Sequence, residues 1–218
     1  MATQTKENYL KALYYLHQKD SSISITDLGK QMEVSKPTVN DMVKKMQAKG
    51  WVKYEKYKPL NLTQEGIKAA ALIIRKHRLS EMFLNKMMGF GWEEVHEMAE
   101  EMEHLKTEIF FDRMDEILGF PKKDPHGSPI PDKNGNFVKP DYQLLSQLEA
   151  NQKVALRALR ESSSEFLTYL NNKEIKLGTE IEIVSKEPFD KSMVVNYDDH
   201  KAVVLSQTVC NGLLVELA

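Results

Sequence analysis

His96, Glu100, Glu103 and His104 fall within a sector of about 100° on a helical projection, opposite an apolar stripe of Val95, Met98, Ala99, Met102, Leu105 and Ile109. Imidazole nitrogens and carboxylate oxygens gathered on one face form a donor set suited to a divalent first-row transition metal. His77 and Glu81 stand four residues apart in a preceding helical pattern, so they share a face and could add ligands from a neighbouring helix. The same residues also suit a solvated face of an amphipathic helix, and spacing alone leaves both readings open. Cys210 is the only cysteine and lies far from this group, which disfavours a structural zinc site. Glu103-His104 does not complete a His-Glu-x-x-His helix, so zinc-protease chemistry has no support.

The charge distribution separates two tasks. The 218 residues carry 30 Lys+Arg and 32 Asp+Glu, a net charge of -2. Residues 1–62 nevertheless hold eleven Lys against six acidic residues, whereas residues 71–120 hold six basic against eleven acidic ones. A basic first segment points to a polyanion, and an acidic, His-containing segment points to cations. The length implies one large domain or two small ones, and 41% hydrophobic residues supply a core. The apolar run Ala69-Ala70-Ala71-Leu72-Ile73-Ile74 is far short of the roughly 18 to 20 residues of a spanning helix, so no membrane partner is expected. The start, Met1 to Asn8, lacks the apolar core of a secretory signal, and a lone cysteine fits a reducing compartment, so a cytoplasmic location is expected.

The elements that would position these groups follow from periodicity. Leu10, Leu13, Tyr14 and Leu16 form a short helical stripe, broken by Ser21-Ser22-Ile23-Ser24. Thr26 is the expected N-cap of a second helix that buries Leu28 and Met32. Ser35 can cap a third helix with Pro37 in its first turn and Val39, Met42, Val43 and Met46 inside, ending near Gly50. Trp51 to Leu62 alternates aromatic residues with lysines and reads as a β-hairpin. Helix, turn, helix and basic hairpin make a winged-helix plan. It would offer Ser35, Lys36, Pro37, Thr38, Asn40, Asp41, Lys44 and Lys45 to a major groove, and Lys53, Lys56 and Lys58 to phosphates. Asp41 is an awkward member, since an acid repels phosphate unless it accepts a hydrogen bond from a cytosine amino group. Thr63 opens a long helix through His77, and a further helix starts near Trp92 and runs through Ile109. A Pro- and Gly-containing stretch over residues 122–140 reads as a linker. Residues 144–170 have helical or mixed spacing, while the runs 175–184, 193–195, 202–205 and 213–215 are β-rich and suggest a small barrel. There is no P-loop, dinucleotide fingerprint or Gly-x-Ser-x-Gly, and no enzyme is expected.

Several separated motifs, taken in order, give a family resemblance. They are Glu7-Asn8-Tyr9-Leu10 with Tyr14, Ser35-x-Pro37-Thr38-Val39, Arg75-Lys76-His77-Arg78-Leu79-x-Glu81, Val95-His96 with Glu103-His104, and Asp124-Pro125-His126-Gly127-x-Pro129-Ile130-Pro131. Over essentially its whole length the chain resembles the DtxR/MntR family of metal-dependent bacterial transcriptional repressors. The resemblance implies a homodimer formed through the middle helices and an SH3-like, FeoA-related third domain. It implies one metal site at Asn8, Glu100, Glu103 and His104 and a neighbouring one at His77, Glu81 and His96. Glu165, and less directly Glu161, lies where the third domain lends a ligand in some members. Asn8 stands where iron-type members have Met and manganese-type members have Asp, and Glu100 stands where iron-type members have Cys. An all-N/O donor set suits Mn(II) or Fe(II), with manganese favoured. Lys11 replaces the glutamate used by the binuclear manganese subtype.

The expected fold is therefore mainly α with small β parts. It comprises a winged helix-turn-helix (1–70), a helical metal-binding and dimerisation domain with a Pro-rich linker (71–140) and an SH3-like small β-barrel (141–218). The expected function is metal-promoted binding to a palindromic double-stranded DNA operator by a dimer whose recognition helices lie about one turn apart. The alternative is a winged-helix regulator that senses a small organic ligand.

Overall fold

In the computed structural model, which describes residues 3–19, 22–55, 58–136, 138 and 140–218, the chain opens with α1 (Gln4–Lys19), α2 (Ile25–Gln31) and α3 (Lys36–Gln47). The short strands β1 (Val52–Lys53) and β2 (Asn61–Leu62) follow, antiparallel, with Val52 opposite Leu62. Leu10, Leu13 and Tyr14 of α1, Leu28 of α2 and Val39, Val43 and Met46 of α3 close one apolar core together with Val52 and Leu60. Ser24, not Thr26, caps α2: its Oγ accepts the Asp27 N–H at 3.0 Å. Thr26 already lies inside the first turn, beyond the position from which a hydroxyl meets the free amides. Pro37 lies in the first turn of α3 as the sequence implies, and Ser35 holds the N-cap position, but its hydroxyl meets Thr38 Oγ1 at 2.9 Å and makes no cap bond to a backbone N–H. After α3 the chain reverses at Gly50, whose φ of 75° suits a residue without a side chain. Lys56 lies outside the described residues.

Thr63 starts α4 (Gln64–Met88), its Oγ1 accepting the Gly66 N–H at 2.9 Å and donating to the Gly50 carbonyl at 2.6 Å. The single helix expected through Ile109 is two. α5 (Val95–Met102) stops, and α6 (Glu108–Ile117) begins after a break in which Lys76 Nζ donates to the Leu105 carbonyl at 2.8 Å. That bond satisfies a carbonyl released by the helix end. Val95 and Ala99 remain buried, but Ile109 is 67% exposed, so the apparent stripe joined residues of two helices. Thr107 followed by Glu108 is the start signal that periodicity obscured. Arg75, buried on α4, holds α6 through Asp115 at 2.7 Å.

The C-terminal part is an antiparallel sheet built from β3 (Gln143–Leu144), β4 (Lys153–Leu159), β5 (Glu180–Lys186), β6 (Met193–Tyr197), β7 (His200–Leu205) and β8 (Leu213–Leu217). Its strand order is β3-β8-β4-β5-β6-β7. α7 (Ser164–Asn172) and α8 (Gln207–Gly212) cover its apolar side, where Leu156, Leu167, Ile183, Val195 and Leu213 are buried. Register shifts at Leu156/Ala158, Ile183/Ser185 and Val195/Tyr197 curl the sheet. β4 falls in the stretch expected to be helical or mixed. Its consecutive buried residues Val154, Ala155 and Leu156 hide the alternation that marks a half-exposed strand.

The residues group into two units. One comprises Met1–Ser80, Ala99–Ile117 and Ile130–Phe137, the other Glu81–Met98, Leu118–Pro129 and Val138–Ala218. Among the described residues no helix is long and apolar enough to cross a membrane. Cys210 is fully buried in the second unit, and burial pushes its thiol up to about 11. The native protein is therefore expected not to react with a thiol-specific disulfide reagent at pH 8, and to release one equivalent of chromophore in 6 M guanidinium. Rapid labelling without denaturant would contradict this packing.

Candidate metal centre

The first unit gathers α1, α4 and the end of α5 around one carboxylate. Glu103 is 0% exposed at its side chain, and Lys11 Nζ of α1 lies 2.8 Å from its Oε1 and 2.9 Å from its Oε2. His77 Nδ1 of α4 lies 2.7 Å from Glu103 Oε2. Lys11 Nζ also reaches Glu100 Oε1 at 3.2 Å. Burial opposes ionisation of Glu103, but His77 and Lys11 together outweigh it and hold its carboxyl below the usual range. Burial likewise opposes the charge of Lys11, and the Glu103 carboxylate reverses the balance, leaving its pKa raised. His104 Nδ1 is 2.6 Å from Glu7 Oε2, and its Nε2 is 3.7 Å from Glu103 Oε1. The side-chain oxygen of Asn8, Oδ1, is buried without a hydrogen-bond partner. Such an atom costs free energy unless something satisfies it.

In the second unit, Glu81 is buried and meets His96 Nδ1 at 3.2 Å through Oε1, while His126 Nδ1 lies 3.7 Å from its Oε2. Ligand atoms of Glu81, Asp124 and His126, all buried, lie within 4.8 Å of one another. The His126 ring nitrogen Nε2 is 2.8 Å from the Trp92 carbonyl, an acceptor only, so Nε2 carries the proton and the lone pair of a neutral ring falls on Nδ1. This is the orientation a metal-ligating imidazole takes. Asp124 Oδ1 accepts the backbone N–H groups of His126 and Ser128, both at 2.9 Å, which closes the turn. Gly127 has φ of 84°, and a Cβ there would lie 2.3 Å from the Arg157 carbonyl, so only glycine lets this turn lie against β4.

Glu103 and His104 lie close together, with Glu100 and Asn8 on the neighbouring elements; His77 joins Glu103, and Glu81 joins His96. Glu165 lies exposed in the first turn of α7, and Glu161 accepts from Ser163. Glu7, Asp124 and His126 were not among the candidates. The Asp-x-His spacing inside the Pro-containing linker was the available signal for the last two.

On α3, Ser35, Lys36, Pro37, Thr38, Asp41, Lys44 and Lys45 are exposed along one side of the helix. Asn40 is committed within the protein: its Oδ1 accepts from Tyr54 Oη at 2.9 Å and its Nδ2 donates to the Lys36 carbonyl at 3.0 Å. Lys53 is exposed, and Lys58 pairs with Glu55.

Removing the carboxylate would strand two groups that it compensates. Glu103→Leu is expected to lower the stability of the metal-stripped protein by about 3 to 5 kcal/mol. Urea unfolding followed by circular dichroism in excess chelator measures this, and a loss below about 1 kcal/mol would show that the pair is not the anchor described.

The matches to family models divide the chain in the same order. Residues 1–60 match the iron dependent repressor N-terminal DNA binding domain, residues 63–132 the iron dependent repressor metal binding and dimerisation domain, and residues 143–217 the FeoA domain. The chain is 35% identical over 127 residues to the iron-dependent repressor IdeR of Mycobacterium leprae, a match spanning 58% of this chain and 55% of that protein, about half its length. It is 28% identical over 193 residues to the diphtheria toxin repressor of Corynebacterium efficiens, 84% of each. Among solved structures it is similar to a manganese-dependent transcriptional repressor in complex with manganese, with a TM-score of 0.88 at 27% identity, covering 98% of this chain and 100% of that one. It is also similar to ScaR with bound Cd2+, with a TM-score of 0.82 at 32% identity, covering 97% and 98%. With three domain models matched in order and 32% identity over nearly the full length of a solved relative, the chain belongs to the DtxR/MntR family, in the form that carries a C-terminal FeoA domain.

Proposed function

We propose that this chain is a transcriptional repressor whose binding to a palindromic operator is promoted by Mn(II) or Fe(II), with manganese favoured. The observation that carries this reading is the union of α1, the first helix of the winged-helix fold, with Glu100, Glu103 and His104 in one cluster centred on the buried Glu103 carboxylate. The donors there are oxygen and nitrogen only, and the unpartnered Asn8 Oδ1 supplies a neutral oxygen, a set that fits a hard or borderline divalent ion. Asn8, Glu100, Glu103 and His104 would hold one ion. Glu81, Asp124 and His126, with His96 beside Glu81, form a second set of the same donor chemistry, and His77 supports Glu103. A bound ion supplies positive charge and a fixed link between ligands.

The residues of the chain do the rest. Asn8 sits on the helix whose opposite side is buried against α2 and α3, so constraining Asn8 constrains the recognition helix. Lys36, Lys44, Lys45 and Lys53 provide phosphate contacts, Ser35 and Thr38 face the groove, and Asn40 positions Tyr54 of the wing. The apolar side chains of Ile109, Phe110 and Ile117 are exposed on α6, within the span matched as a dimerisation domain, and a second copy of the chain would cover them. The two DNA-binding units of that dimer would read half-sites about one helical turn apart. Repression without catalysis and a cytoplasmic setting complete the reading.

The test is a fluorescence-anisotropy titration of metal-stripped protein on a duplex selected from a randomised pool in the presence of Mn(II). Mn(II) is expected to tighten binding by roughly 5- to 150-fold, and Glu100→Ala and His104→Ala are expected to abolish that gain while leaving the chain folded. Binding that is equally tight in excess chelator would reject metal control and favour an organic effector. Because carboxylates must be ionised and imidazoles neutral to bind, the metal-induced gain is expected to shrink as pH falls below about 6.5.

A further inference from the structure

We propose that the Lys11 ammonium is a tethered competitor of the metal at Glu100 and Glu103, and that its displacement sets the metal concentration at which this site fills. The inference rests on the metal-binding reading above and adds to it an occupant supplied by the chain itself. Three carboxylate oxygens, both of Glu103 and one of Glu100, lie within 3.2 Å of Lys11 Nζ. Both oxygens of the Glu103 carboxylate face the ammonium together, and Glu100 takes it from a second carboxylate. The lysine side chain is 12% exposed and that of Glu103 is not exposed at all, so water does little to weaken the pair. A divalent ion drawing on the same oxygens would meet a like charge within contact distance, and the two cations cannot share the site.

The neighbouring residue on α1 shows what the lysine leaves undone. Asn8 and Lys11 are three residues apart on the helix and share a face, yet Asn8 Oδ1 has no hydrogen-bond partner while the ammonium is engaged with carboxylates. An ion with more coordination positions than an ammonium has protons could take both the carboxylates and this oxygen. The exchange is therefore of one cation for another at nearly constant local structure: Lys11 swings out towards solvent, and the carboxylates change partner. Every divalent ion faces the same lysine, so the device fixes the threshold of the site without ranking the ions that fill it.

The experiment uses full-length, metal-stripped protein and Mn(II), with affinity read by isothermal titration calorimetry and by competition with a fluorescent chelator. Lys11→Met is expected to bind Mn(II) about tenfold or more tightly than wild type, the loss of one charge-assisted contact that the metal need no longer break. Lys11→Arg, which keeps the charge, is expected to stay within about threefold of wild type. Thermal melts should show a lower midpoint for metal-stripped Lys11→Met and a larger upward shift on adding Mn(II). A direct readout is the 15Nζ signal of Lys11: shielded from exchange in the metal-stripped protein, and lost to rapid exchange on loading with diamagnetic Zn(II). Equal or weaker Mn(II) affinity in a folded Lys11→Met protein would overturn the proposal, as would a Lys11 signal that Zn(II) leaves unchanged. Failure of the metal reading looks different and overturns both: Glu100→Ala would then leave Mn(II) binding at its wild-type level.

Discussion

A fully buried carboxylate at Glu103 is the constraint around which the first unit is arranged. An ionised carboxylate removed from water must find compensating charge and hydrogen bonds, or be neutralised. Glu103 finds Lys11 on α1 and His77 on α4, and these two contacts come from helices far apart in sequence. Satisfying it therefore fixes α1 against α4 and against the end of α5 at once. The break after α5 belongs to the same constraint. With the helix ended at Met102, the side chains of Glu103 and His104 can turn towards α1, where Lys11 and Glu7 meet them, and Lys76 covers a carbonyl that the break exposes.

The second unit solves a similar problem with local means. Glu81 is also buried, and it meets two imidazoles, His96 from α5 and His126 from the linker turn. That turn is held by its own backbone, through Asp124, and by a glycine that no other residue could replace without meeting the Arg157 carbonyl. Trp92 ties the arrangement down further. Its carbonyl fixes the His126 tautomer, its ring stacks on the imidazole at a centroid distance of 6.1 Å, and its indole N–H donates to Asn171 of α7 at 2.7 Å. One unit thus sets a lysine ammonium against its buried carboxylate, the other sets imidazole rings there.

What was legible in the sequence follows from the range of each interaction. The winged-helix elements were readable because capping, proline placement and 3.6-residue periodicity are local, and the error at α2 was one of two residues between Ser24 and Thr26. The candidate donors stood out because His and Glu at helical spacing share a face whatever the tertiary structure. The α5–α6 break was not, because apolar residues on both sides kept a helical period while Thr107 carried the only local signal. Strand β4 was hidden by burial of consecutive residues. Asp124 and His126 are separated from Glu81 by more than forty residues, and only folding brings them together. The meeting of Lys11 with Glu100 and Glu103 was invisible for the same reason: the substitution of a lysine for a ligand could be seen, but not where its ammonium goes.

The energetic scale explains how so small a cluster can govern a DNA-binding surface. α1 is bound on its inner side to α2 and α3 through Leu10, Leu13, Leu28 and Val39, all fully buried, and interiors packed at that density move as bodies instead of deforming. Asn8 and Lys11 thus sit on a helix that shares one packed core with the recognition helix. Allosteric coupling between two sites is typically about 1 to 3 kcal/mol, and one charge-assisted hydrogen bond gained or lost in a buried setting is worth about 1.5 to 3 kcal/mol. The contacts around Glu103 are thus sufficient in size to account for such coupling, and no large rearrangement of the fold is required. By linkage, if Asn8, Glu100, Glu103 and His104 hold an ion as proposed, whatever factor the ion adds to DNA affinity is the factor DNA adds to affinity for the ion.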